Sequence, residues 1–294
     1  MPPSRFPRLV ICFGLLIAAC TSSPAPTAGP PSAGTPTIPD ATVGAIDHPT
    51  GATDVVLRLE QGGGFVPVEF LVTAAPTFTL YGDGTVIFRP NEPPPPLPDG
   101  VARDVPFRTA RLSEDQVQAL LEFALDEGGL ALAKSRYEEA NVADASTTTF
   151  IVRAGGLDKR VDVYALGEAP NGADGVARQA LGRLADRLRE FDQGGTVEMS
   201  NYKPERYRAV LWEAGSVPDA RPRAWPWPEL VPADFTAAAG GGGRGFPRRV
   251  MTPVDAGRLE IPLFEGGLQA VFLTGPDGKV YEFGLRSLLL DETS

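Results

Sequence analysis

The sequence is poor in the residues that carry most enzyme chemistry. Among 294 residues there is one histidine, His48, and there are two cysteines, Cys12 and Cys20. Histidine-centred triads, two-histidine or four-cysteine metal sites and disulfide frameworks inside a folded domain therefore have almost no material. Lysine is scarce as well: of 27 basic residues only Lys134, Lys159, Lys203 and Lys279 are lysine, a bias that suits a GC-rich genome better than a function. Acids outnumber bases, 37 to 27, for a formal net charge of −10. Phosphate backbones and anionic headgroups repel such a chain, so nucleic acid is excluded as a partner and membrane association cannot come from a basic face. No G-x-S-x-G, H-E-x-x-H, Walker A or EF-hand pattern occurs, and no motif implies a catalytic residue, a metal or a cofactor.

What is abundant is glycine and proline, 63 residues between them, beside an ordinary 43% apolar and 22% charged content. Part of the chain must therefore be linker or loop, while the length suits about two domains at roughly 150 residues each. The start carries the most specific signal. Arg5 and Arg8 precede an apolar stretch, Leu9 to Ala19, that is shorter than the roughly 20 residues needed to cross a bilayer core, so residues 1–19 read as a signal peptide. The stretch closes on Ile17-Ala18-Ala19-Cys20, which resembles the lipobox of bacterial lipoproteins. The resemblance implies that Cys20 is alkylated with diacylglycerol and becomes the mature N-terminus after cleavage behind Ala19. It also implies an extracytoplasmic protein of the cell envelope, held to a bacterial membrane by acyl chains such as palmitate. Two or more chains give stable anchoring at about 0.8 kcal/mol per buried CH2. Removal of residues 1–19 loses Arg5 and Arg8 and takes the charge from −10 to −12.

Residues 20–53 then read as the lipidated cysteine and a disordered stalk rich in Pro, Ala, Thr, Ser and Gly. Such a stalk spans about 30 Å as a coil and up to about 100 Å as polyproline II. His48 falls in it, as a solvated linker residue.

An α+β domain is expected over 54–192, a mostly antiparallel sheet with two packed helices. Val55, Leu57 and Leu59 alternate with Val56, Arg58 and Glu60 at the period of a half-buried strand. Phe78–Tyr81 and Thr85–Phe88 flank Gly82-Asp83-Gly84, a strong hairpin signal. Ser113 with Gln116 forms a capping box opening a helix whose buried stripe is Val117, Leu120, Leu121 and Ala124, ended by Gly128-Gly129. A second hairpin turns at Ala154-Gly155-Gly156, and a second helix runs from Asp174 to Phe191 with Arg178, Arg183, Arg187 and Arg189 on its polar face. Acid pairs such as Asp126-Glu127, Glu138-Glu139 and Asp291-Glu292 read as solvated surface.

Gln193-Gly194-Gly195 marks a boundary, and 196–294 reads as a smaller loop-rich β or α+β domain. It holds a strand at Tyr207–Glu213, a helical turn capped by Thr252, and a third hairpin about Gly275-Pro276-Asp277-Gly278. Two apparent motifs fail on context. Ser200-Asn-Tyr-Lys203 has the S-x-x-K spacing of serine β-lactamases, but Pro204 follows directly and neither S-D-N nor K-T-G comes later. Gly240, Gly242 and Gly245 match G-x-G-x-x-G with no strand before them and Pro247 behind. Trp225 and Trp227, alternating with Pro226 and Pro228, are the candidate binding residues, since aromatics on a stiff proline frame lose little entropy on recognition. The alternative use of the same pair is to fill the crevice between the two domains.

The mature chain also resembles a group of uncharacterised secreted or lipid-anchored proteins of GC-rich bacteria. The residues carrying this are Phe78–Val86, Leu112–Val117, Thr147–Thr149, Val163–Gly167 and Arg286–Glu292. The resemblance implies location and fold but no activity. Three functions stay open: a non-enzymatic module binding a protein, peptide or cell-wall component, an inhibitor of an extracellular enzyme, and a hydrolase using carboxylates in a cleft.

Overall fold

The computed structural model describes residues 44–93, 101–139, 142–168, 173–191, 195, 197–215, 221–237 and 245–293. The lipobox with Cys12 and Cys20, and residues 238–244 with Gly240 and Gly242, lie outside them. In chain order the elements are β1 (Val55–Gly62), α1 (Val68–Val72), β2 (Phe78–Tyr81), β3 (Thr85–Phe88), β4 (Ala102–Arg103), β5 (Arg108–Arg111), α2 (Glu114–Leu125) and β6 (Arg136–Tyr137). They continue with β7 (Thr147–Ala154), β8 (Leu157–Tyr164), α3 (Gly175–Arg189), β9 (Met199–Asn201), β10 (Tyr207–Glu213), β11 (Arg223–Ala224) and β12 (Thr236–Ala237). The last are β13 (Pro247–Met251), α4 (Pro253–Gly257), β14 (Leu268–Thr274) and β15 (Val280–Ser287). The protein is thus a mixed α+β fold built on two sheets whose pairings are antiparallel except for β6 with β8 and β11 with β14.

The first sheet runs β6-β8-β7-β1-β2-β3-β5-β9 and the second β11-β14-β15-β10-β13-β12, with β4 added beside β14. Each sheet therefore takes a strand from the other half of the sequence. β4 comes from the β3–β5 connection, and β9 follows the expected boundary at Gln193-Gly195. Both sheets fall in one compact unit, Val43–Ser294. Strands of two and three residues carry too little periodicity to be seen in a sequence, which is why the exchange was not expected.

Local chemistry explains the rest. The β2–β3 hairpin turns where Gly84 takes φ +85°, and a Cβ there would meet the Leu112 carbonyl at 2.6 Å. Asp83 Oδ1 accepts from the Thr85 amide at 2.9 Å, tying the turn. Ser113 Oγ accepts from the Gln116 amide while Gln116 Oε1 accepts from the Ser113 amide, so α2 starts where expected.

One face of the first sheet buries Leu57, Leu59, Phe78, Leu80, Phe150, Val152, Val161 and Val163 under Leu121 of α2 and Leu181, Leu184 and Leu188 of α3. Each such side chain contributes about 1.5–3 kcal/mol on burial. A register shift between Val55 and Leu57 sends Val55 to the opposite face, beside Tyr81, so the even alternation expected from Val55 through Leu59 is broken by a bulge. The second sheet buries Tyr207, Ala209, Leu211, Leu273, Phe283 and Leu285 under α4 and the loops that precede it.

The seam between the sheets is joined by the C-terminal turn. Leu289 completes a small core with Val55, Tyr81, Ile87 and Phe107. The Tyr202 hydroxyl donates to the Leu288 carbonyl at 2.9 Å, and the Leu288 amide to the Arg206 carbonyl at 3.0 Å. The β1–β2 connection reaches across as well, since a Cβ at Gly284 of β15 would lie 3.0 Å from Thr73 Cγ2.

Residues 44–53, expected to end the stalk, are held against the folded unit. Ile46 exchanges two hydrogen bonds with the Gln118 side chain, and the Gly155 amide donates to the Asp47 carbonyl. His48 is accordingly not a solvated linker residue. Its side chain is 5% exposed, with Nε2 3.2 Å from Glu114 Oε1.

Candidate functional site

β-strand alternation that turns Leu57 and Leu59 toward the helices turns Arg58 and Glu60 the other way. Register then aligns Glu60 with Thr149 and Thr149 with Asp162, while Arg58, Ile151 and Arg160 form the next row. The result is the floor of an open cleft of about 530 Å3 at the seam, closed on the far side by Arg286 of β15 and Glu292 of the C-terminal turn. The β1–β2 connection, through Gly62, Gly63 and Ala74 to Pro76, makes another wall.

Charges alternate along this floor. Asp291 Oδ1 lies 2.6 Å from Arg58 Nη2 and accepts from the Tyr81 hydroxyl at 2.8 Å. Arg58 Nε donates to Thr79 Oγ1 at 3.1 Å. Glu60 sits between Arg58 and Arg160 at 3.9 and 3.8 Å. Arg160 Nε then meets Asp162 at 3.0 Å, and Thr149 Oγ1 donates to Asp162 Oδ1 at 2.7 Å. On the second sheet Arg286 grips Glu292 with both terminal nitrogens, at 2.9 and 2.5 Å, and Arg208 Nη2 stands 3.7 Å from the same carboxylate.

Burial would raise Asp291 and Glu292 above the ordinary carboxylate range. The bonds from Arg58 to the first and from Arg286 to the second outweigh it, so both are held below that range. Burial, then the neighbouring Arg286 charge, lowers Arg208 to about 10. Burial, followed by the Asp291 charge, pushes the Tyr81 phenol far up, so it stays a hydrogen-bond donor. These carboxylates are arginine partners. A general acid needs the opposite shift, a carboxyl kept protonated near neutral pH.

The sequence reading of Asp291-Glu292 as solvated surface is corrected here. Both are drawn inward because Arg58 and Arg286 are buried and require anions. Thr149 and Arg286 stood only among the residues of a family resemblance, and Arg58 and Glu60 only as the polar half of a strand. The legible signal was an Arg-x-Glu on a strand that is otherwise apolar.

Trp225 and Trp227 do not lie on this cleft. Trp227 is 1% exposed and donates from Nε1 to the Asp255 carbonyl at 2.8 Å. Trp225 is half-buried, packs edge-on against Trp227 at 5.2 Å and donates to the Leu230 carbonyl. The pair fills the second core beside Phe235 and Phe283, since an indole gains more from apolar contact than from water. Ser200 is exposed on strand β9, so no helical turn sets it beside Lys203. Of the four arginines on the expected polar face of α3, Arg178 is buried. Among the described residues no group of three or more His, Cys, Asp or Glu is arranged to hold a metal, and no helix is long and apolar enough to cross a membrane.

Compared with known protein families, curated proteins and solved structures, the chain matches none. The reading of its function therefore rests on the residues above.

Proposed function

We propose that this chain is a non-enzymatic, lipid-anchored binding module of a bacterial cell envelope, tethered through Cys20, whose ligand is a polar peptide or cell-wall component bound in the seam cleft. The observation that carries the reading is the cleft floor of paired charges and hydroxyls, where Arg160 and Asp162 are partly exposed and Thr149 supplies a hydroxyl. Such a floor offers donors and acceptors in fixed positions, which suits recognition of a hydrogen-bonding ligand. Held ionised by Arg58 and Arg286, Asp291 and Glu292 do not serve as the general acid that carboxylate hydrolysis requires.

The inhibitor reading draws on a different feature. Phe65, at 90% exposure, and Val66, Phe70 and Leu71, at 44–48%, stand on the β1–β2 connection beside the cleft, an apolar patch of the kind a partner protein covers.

Titration of the full chain with soluble cell-wall fragments, followed by calorimetry, tests the cleft. Arg160→Met with Thr149→Val should weaken binding at least tenfold, while the folded state survives with a modest fall in melting temperature from the partly exposed Asp162 carboxylate left without its partners. Wild-type protein that binds no fragment, or a double variant that binds as well as wild type, contradicts the reading. For the anchor, intact mass of the membrane form should show a diacylated Cys20 at the N-terminus, and Cys20→Ala should abolish detergent partitioning.

A further inference from the structure

Arg178 is as buried as the arginines of the seam but is treated differently by its surroundings. It is 3% exposed, against 8% for Arg58 and 2% for Arg286, and each of those two has a carboxylate within 2.6 Å. The Arg178 guanidinium meets none among the described residues. Its Nη2 donates to the carbonyls of Tyr164, at 2.9 Å, and Ala165, at 2.7 Å, whereas its Nε and Nη1 are buried with no acceptor. A buried cation with two unsatisfied nitrogens is an expensive arrangement unless an anion completes it.

Beside it is a cavity of about 340 Å3, separate from the seam cleft, between α3 and the turn that leaves β8. Arg178 lines it together with Leu166, Gly167, Gly182, Arg183 and Arg189. The two glycines leave it roomy, since a Cβ at Gly167 or Gly182 would touch nothing within 4 Å. Its outer wall is the exposed Gly167-Glu168 turn, which follows Ala165, itself held in the left-handed region at φ +52°.

We propose that this cavity is an oxyanion site, taking a carboxylate or phosphate group of a small ligand, with Arg178 as its buried anchor and Arg183 at its rim. The group enters past the Gly167-Glu168 wall and accepts a charge-assisted bond from Arg178 Nε or Nη1, which diverge, so that it takes one of the two donors that the Tyr164 and Ala165 carbonyls leave open. The acid on that wall, Glu168, works against such a ligand, and Asp186 is engaged with Arg189 at 3.3 Å. The site does not depend on the cleft reading.

The test follows the Nε–H signal of Arg178 by NMR in the full chain, titrated with sodium acetate, inorganic phosphate or sodium chloride at constant ionic strength. A saturable shift is expected with acetate or phosphate and not with chloride, and the anion that saturates at the lower concentration gives the ligand class. Glu168→Gln should tighten binding about threefold by removing rim repulsion. Gly182→Leu, which suits a helix and fills the cavity while leaving Arg178 in place, should abolish the saturable shift at unchanged melting temperature. Three results overturn the proposal. One is a shift that is linear and equal for all three salts, and another is binding that survives Gly182→Leu. The third is a wild type that binds no anion while Glu168→Gln does, which would make Glu168 itself the partner of Arg178.

Discussion

The two faces of the first sheet are made by the same three strands and solve opposite problems. Toward the helices, Leu57, Phe150 and Val161 are fully buried in an apolar core. Toward the second sheet, one residue away along each strand, Arg58, Thr149 and Arg160 line an ionic floor. The apolar face is held by contact area, which any similar shape supplies. The ionic face is held by specific partners, so losing one leaves the other stranded in a poor environment. That difference can be broken or sharpened experimentally.

The largest effect is expected on the apolar side. Phe150→Ala should lose about 3–5 kcal/mol in denaturant unfolding, through transfer and cavity terms together, and Trp227→Ala in the second core a similar amount. On the ionic side Asp291→Ala should lose about 3 kcal/mol, because Arg58 is left buried without its anion. Arg58→Met combined with Asp291→Leu should instead lose less than Asp291→Ala alone, since apolar replacement of both partners removes the stranded charge and leaves only the Tyr81 hydroxyl without its acceptor. Phe150→Ala cannot be rescued in that way by any charge-neutral partner.

Acid titration separates the faces further. Asp291 and Glu292 are held below the ordinary carboxylate range when folded, so their stabilisation is complete above the unfolded value of about 4 and is lost as pH falls through the depressed folded values. Asp291→Asn should flatten the loss of stability below about pH 4, while Phe150→Ala should shift the whole curve down without changing its slope. The smallest effect belongs to the exposed pair Arg153–Asp158, where Arg153→Ala should change stability by less than about 0.5 kcal/mol.

The same contrast explains what could be read in the sequence. The helix-covered face was legible because period and caps are local. The hairpins at Asp83-Gly84 and Gly155-Gly156, the capping box at Ser113 and the stripe from Val117 to Ala124 appear where the residues imply them. The seam was illegible because it is made by pairings far apart in the chain. Arg58 and Asp291 are 233 residues apart, and nothing near either residue names the other. Asp291-Glu292 therefore looked like surface, and Trp225-Pro-Trp227 could be read either as a recognition loop or as a crevice filler, because a sequence does not show that Phe235 and Phe283 surround it. His48 illustrates the same limit, since a proline-rich neighbourhood concealed a fixed contact with α2.

That the C-terminal turn binds the sheets together through specific ion pairs is tested most directly by a double-mutant cycle on Arg58 and Asp291, with Arg58→Ala, Asp291→Ala and the pair measured by urea unfolding. A coupling energy above about 1.5 kcal/mol is expected for a partly buried pair at 2.6 Å. A coupling below about 0.5 kcal/mol, the size found for exposed pairs, would mean that the seam is held by the Leu289 core, the backbone bonds of Leu288 and the exchanged strands, and that the Arg58–Asp291 pair adds no more than a surface contact.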